Sequence, residues 1–79
     1  LVELRSIEKC EDQISCEVFV EDCTEPISLL YDIKDDIFSD YELQADYSWC
    51  KAHMGYAKCF ISKLKDTTEI PKEKKIIWF

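Results

Sequence analysis

The chain has 79 residues and a formal charge of −7, with 47% hydrophobic side chains, one glycine, two prolines and five cysteines. That length holds one domain, residues 1–79, with a thin core and little room for an internal ligand cavity. The apolar content is that of a folding domain, which excludes a disordered tail, and no apolar run approaches the roughly 18–20 residues that span a bilayer.

Residues 1–46 carry fourteen acidic side chains against Arg5, Lys9 and Lys34, a balance of −11. Residues 47–79 carry seven lysines against Asp66, Glu69 and Glu73, a balance of +4. The domain is therefore expected to be electrically polar. A net acidic chain with a single arginine disfavours nucleic-acid binding. The odd cysteine count argues against a closed disulfide framework, so free thiols in a reducing, cytoplasmic setting are expected.

Val2 to Cys10 is rich in β-formers but alternates imperfectly. Val2 and Leu4 share one parity and Ile7 breaks it, which predicts a bulge or an edge strand. After a tight connection at Glu11–Gln13, Ile14, Cys16, Val18 and Val20 share one face of a half-buried strand, with Ser15 and Glu17 opposite. Phe19 is the exception on that polar face. Glu21 to Pro26 is a second turn, Ile27 to Ile33 a third strand, and Lys34 to Ser39 a charged loop that holds Ile37 and Phe38. Tyr41 to Tyr47 alternates apolar and polar residues strictly and predicts a fourth strand. The competing reading is a helix start, because Ser39-Asp40-Tyr41-Glu42 also fits a capping box.

From Tyr47 to Lys65 the period changes. Trp49, Ala52, His53, Tyr56, Ala57, Phe60 and Leu64 recur at three- and four-residue steps, predicting a helix whose apolar stripe faces the sheet. Asp46 or Ser48 would cap its start, and Lys63 and Lys65 suit its C-terminal dipole. The last residues, Lys75 to Phe79, form an apolar run expected to be pinned into the sheet or core. A free C-terminus of the kind that adds to a sheet edge is the lesser reading of Ile77-Trp78-Phe79. These elements imply an α+β fold: a small, mostly antiparallel sheet of four to five strands, with one long helix packed on one face.

Chemistry-bearing residues are sparse. Cys50 and His53 lie one helical turn apart and raise the question of a shared metal or a nucleophilic dyad. A zinc site needs four ligands, usually in paired hooks, and none is present. The cysteines are read as small core fillers. No catalytic set, metal site or cofactor is expected. Asp32, Asp35, Asp36, Asp40 and Glu42 form an acidic cluster that lacks the glycine and spacing of a calcium loop. They are the candidate contact region for a basic protein partner, in a domain expected to act without catalysis, membrane insertion or nucleic acid. The alternative is a metal- or thiol-dependent protein using Cys50 and His53.

Overall fold

The computed structural model describes residues 1–78. It contains one five-stranded antiparallel sheet and one helix on one of its faces. In chain order the elements are β1 (Val2–Cys10), β2 (Gln13–Val20), β3 (Ile27–Asp32), β4 (Ile37–Phe38), α1 (Lys51–Lys63) and β5 (Lys74–Ile76). Short 3₁₀ turns at Ala45–Tyr47 and Leu64–Asp66 flank α1. The strand order is β4-β3-β2-β1-β5, so consecutive hairpins build four strands and the C-terminal strand returns to the free edge of β1. No described helix is long and apolar enough to cross a membrane.

The helix-side face of the sheet follows from the strand period. Leu4 pairs with Val18, Val2 with Val20, Ile14 with Tyr31 and Cys16 with Leu29. All eight side chains are buried. Removing each large aliphatic or aromatic side chain from water contributes about 1.5–3 kcal/mol. The opposite face, with Glu3, Arg5, Ser15, Glu17 and Ser28, has no described helix over it.

The irregularity in β1 is a bulge, and β1 is internal, between β2 and β5. Arg5 pairs with Glu17 and Glu8 with Ser15, so Ser6 and Ile7 together oppose Cys16. Ser6 takes up the extra residue with a left-handed φ of 54°. The parity of the strand then flips. Ile7 points into the core, and Lys9, opposite Ile14, lies on the helix side of the sheet. There its ammonium donates to the carbonyls of Leu64 (3.3 Å), Lys65 (3.0 Å) and Thr67 (3.0 Å). Leu64 and Lys65 belong to the 3₁₀ turn that ends the helix, and Thr67 caps it, so the ammonium sits where a helix end exposes its carbonyls.

Three sequence expectations are corrected. Tyr41–Tyr47 is not a strand, and the fourth strand is Ile37–Phe38. Leu30 and Ser39 face each other, but the Leu30 amide donates to Ser39 Oγ (3.0 Å) rather than to a backbone carbonyl. The Ser39 amide still donates to the Leu30 carbonyl (2.8 Å), and the β3–β4 pairing goes no further. The chain beyond it keeps the alternation, Tyr41 and Leu43 half-buried and Glu42 and Gln44 exposed, without ladder pairing. It is tied down by side chains instead: Gln44 to Glu25, and Tyr47 Oη donating to Asp22 (2.8 Å).

The helix starts later than expected, at Lys51. Cys50 stands at its N-cap without a side-chain bond, because Asp46 is taken up in the preceding 3₁₀ turn.

The helix is also rotated. Its buried residues are Cys50, His53, Met54, Ala57, Ile61 and Leu64, whereas Trp49 and Tyr56 are exposed and Phe60 is only partly covered. At about 100° per residue, the buried arc is centred about 70° from the expected stripe. Met54 and Ile61 account for the shift. They extend the apolar arc well beyond what one sheet face can cover, and the aliphatic side took the sheet. The C-terminal run is pinned as expected through Ile76, which pairs with Val2, and through the half-buried Trp78. Ile77 is exposed, and Phe79 lies outside the described residues.

Candidate functional site

The acidic candidates occupy the β3–β4 hairpin and the extended segment that follows it. Asp32 is half-buried at the end of β3 and pairs in register with Ile37 and Gln13. Its Oδ1 accepts the Asp35 amide (3.2 Å), which shapes the turn. Asp36 takes a left-handed φ of 55° and accepts the Tyr31 hydroxyl. That bond, and then burial, pushes the Tyr31 phenol up to about 12. The Tyr31 ring is fully buried and stacks on Phe38 at 4.4 Å. Asp32 and Asp36 therefore shape the turn, whereas Asp35, Asp40 and Glu42 are exposed and their side chains take no hydrogen bond among the described residues.

The β1–β2 turn lies against this hairpin, with the Ile33 amide donating to the Asp12 carbonyl (2.8 Å). Glu11 and Asp12 thus join the same end of the sheet. Among the described residues, the ion pairs are Leu1–Glu21 and Arg5–Glu3, and the His53–Glu21 contact likewise lies elsewhere, so none neutralises any of the five candidates. Lys58 reaches toward this edge, but its ammonium lies over the rings of Tyr41 (4.7 Å) and Phe38 (5.7 Å). In the middle of this acidic edge stands Ile37, 60% exposed. Its exposure was not legible from the sequence, where Ile37 and Phe38 read only as apolar residues in a charged loop.

The comparisons with known proteins return no match. No family model, curated protein or solved structure matches the chain.

Cys50 and His53 are both buried at the start of α1. Burial pushes the Cys50 thiol up, and the Glu21 charge adds to this, so Cys50 is held as the protonated thiol and not as a nucleophilic thiolate. His53 Nε2 lies 2.7 Å from Glu21 Oε1. A carboxylate only accepts, so Nε2 carries the proton and donates. The hydrogen bond from His53, with a second from the Leu1 amino group, holds the Glu21 carboxyl below its usual range. His53 Nδ1 is buried and has no hydrogen-bond partner among the described residues. The ring is boxed edge-on by Trp49 (5.3 Å) and Trp78 (4.7 Å). Among the described residues, no three His, Cys, Asp or Glu side chains gather where they could hold a metal ion. All five cysteines are free; Cys16 and Cys50 are buried and Cys10 and Cys59 exposed.

The lysines do not form one face. Lys9 is spent on the helix end and Lys58 on the aromatic rings. Lys63 and Lys74 flank the groove between α1 and β5.

Proposed function

We propose that this domain is a non-enzymatic interaction module that binds a basic protein partner along the acidic edge from Asp32 to Glu42. The observation that carries this reading is an exposed apolar side chain, Ile37, set among carboxylates that have no cationic partner within the described residues. An apolar anchor ringed by polar groups is the usual anatomy of a binding patch. Unpaired surface carboxylates contribute little to folding. They do create a negative field that raises the encounter rate with a cationic surface, an effect that weakens as salt rises. The five unbridged thiols suit a reducing, cytoplasmic setting.

The residues divide by role. Asp32 and Asp36 hold the hairpin, so the contact charges to test are Asp35, Asp40 and Glu42. Changing these to Asn, Asn and Gln should leave the far-UV circular dichroism and the urea midpoint unchanged. Association with a partner recovered at low salt should slow by about tenfold, and the difference should shrink at high salt. Ile37→Ser should act differently, speeding dissociation. Association indifferent both to salt and to the triple change would refute the reading. So would substrate turnover by the purified protein.

A further inference from the structure

We propose that the basic partner of the acidic edge is a second copy of this chain, whose β5 edge adds to β4 so that copies join head to tail. The pairing rests on the contact role given to residues 32–42. Backbone alternation decides which groups each edge offers. The Glu21 amide donates to the Leu1 carbonyl (3.0 Å), so the odd residues at the start of β1 turn their peptide groups to β2 and the even ones to β5. Val2 and Leu4 therefore bond Ile76 and Lys74, and Lys75 between them turns its N–H and carbonyl outward. At the other edge the Ser39 amide donates to the Leu30 carbonyl (2.8 Å). Ser39 and Ile37 thus face β3, and Phe38 turns its peptide groups outward. Among the described residues, no turn or loop bond takes up the outward groups of Phe38 or Lys75. Such edges are templates for another strand. Each also carries an exposed isoleucine, Ile37 at 60% and Ile77 at 57%.

Charge selects which edges meet. Residues 32–42 hold five acidic side chains and Lys34, a balance of −4. Residues 72–75 hold Lys72, Lys74 and Lys75 against Glu73, a balance of +2, and all four are exposed. Lys74 lies over the Phe60 ring (5.6 Å), so Lys72 and Lys75 carry the contact charge. Joining like edges would set carboxylates against carboxylates, or lysines against lysines. The unlike pairing is attractive, and being heterologous it leaves a further edge open at each end. The net charge of −7 opposes the approach of two copies at low ionic strength. The two edges of one sheet lie four strand spacings apart, about 19 Å, whereas charges at physiological salt act over about 8 Å. Under those conditions each edge responds to the edge it meets rather than to the whole molecule. Strands of two and three residues bury little, so the association is weak.

Sedimentation equilibrium of the whole chain, from about 10 μM to about 1 mM, reads affinities of this order. At about 0.15 M salt the weight-average mass should climb with concentration past that of a dimer, and it should be lower at both about 10 mM and about 1 M salt. Lys72→Glu with Lys75→Glu should weaken association at least about tenfold. Asp35→Lys, Asp40→Lys and Glu42→Lys together should do the same, and both variants should keep the urea midpoint. Each variant then has two edges of one sign, so mixing them brings opposite edges together and should restore association. Lys75→Pro removes an outward donor without touching the β1 ladder and should also weaken it. A chain that stays monomeric throughout, a mass that stops at the dimer, or a mixture that does not associate overturns the pairing. If the chain stays monomeric and a basic protein still binds through Asp35, Asp40 and Glu42, the acidic edge keeps its role and the second copy alone is refuted.

Discussion

The rotation of α1 makes a sharp prediction about which helix residues stabilise the domain. Ile61 is 1% exposed and faces β1 and β2, whereas Trp49 is 62% exposed. Truncating a fully buried isoleucine to alanine costs about 2–5 kcal/mol, from lost transfer energy and the cavity left behind. An exposed side chain with no special role costs about 0.5 kcal/mol or less. A domain of this size has a total stability of roughly 4–12 kcal/mol. Ile61→Ala should therefore lower the melting temperature by about 10–25 °C, and the urea midpoint by about 1–3 M. Trp49→Ala loses only an exposed hydrogen bond to the Asp46 carbonyl (3.1 Å) and an edge contact with the His53 ring, so it should cost about 1 kcal/mol or less. Phe60→Ala, at a half-covered site, should fall between them, at about 1–2 kcal/mol and below the roughly 3–5 kcal/mol of a fully buried phenylalanine. Equilibrium urea unfolding followed by far-UV circular dichroism measures all three. If Trp49→Ala destabilised the protein as much as Ile61→Ala, the helix would sit as the aromatic stripe alone suggests.

Tyr31 and Tyr47 are pushed up to about 12, first by their bonds to Asp36 and Asp22 and then by burial. A raised folded-state value means their contribution is fully present below pH 10, the ordinary tyrosine range, and is lost as pH rises toward 12. Ultraviolet titration should show these two of the four tyrosines ionising late, with alkaline destabilisation beginning above pH 10, and a single common transition near 10 would refute this. For the thiols, Cys10 and Cys59 should react with a small disulfide reagent in the native state. Cys16, which burial pushes up to about 12, and Cys50 should react only after denaturation, so immediate reaction of all five would contradict the core assignment. Lys9→Met keeps the aliphatic stem and removes the ammonium from three carbonyls, so it should cost about 0.5–1.5 kcal/mol in the same urea assay.

The candidate sites were legible to different degrees. The acidic cluster could be listed from the sequence, because exposed carboxylates in a turn need no tertiary contact to be recognised. Their division into two roles could not. Asp36 holds the Tyr31 hydroxyl and Asp32 the Asp35 amide within a hairpin that closes at Ile37–Phe38, a pairing that no local pattern marks. Ile37 was hidden for the same reason, since two adjacent apolar residues give no sign of which one turns outward. The exposed flank of α1 was hidden by an excess of signal: nearly every apolar residue of the helix fitted some stripe.

Local pattern by itself determined the antiparallel hairpins, the buried parity of β2, the existence of the helix, the burial of Cys16 and the irregularity in β1. Each depends on a period of two or of about 3.6 within one segment, which side-chain direction imposes wherever the segment lies. Tertiary structure decided the rest. The bulge at Ser6 chose which β1 residues face the helix, and so delivered Lys9 to the helix end that Lys63 and Lys65 were expected to serve. The concerted packing of Met54 and Ile61 with the sheet chose the rotation of α1. An apolar arc wider than its contact leaves that rotation undetermined until the opposing face is in place.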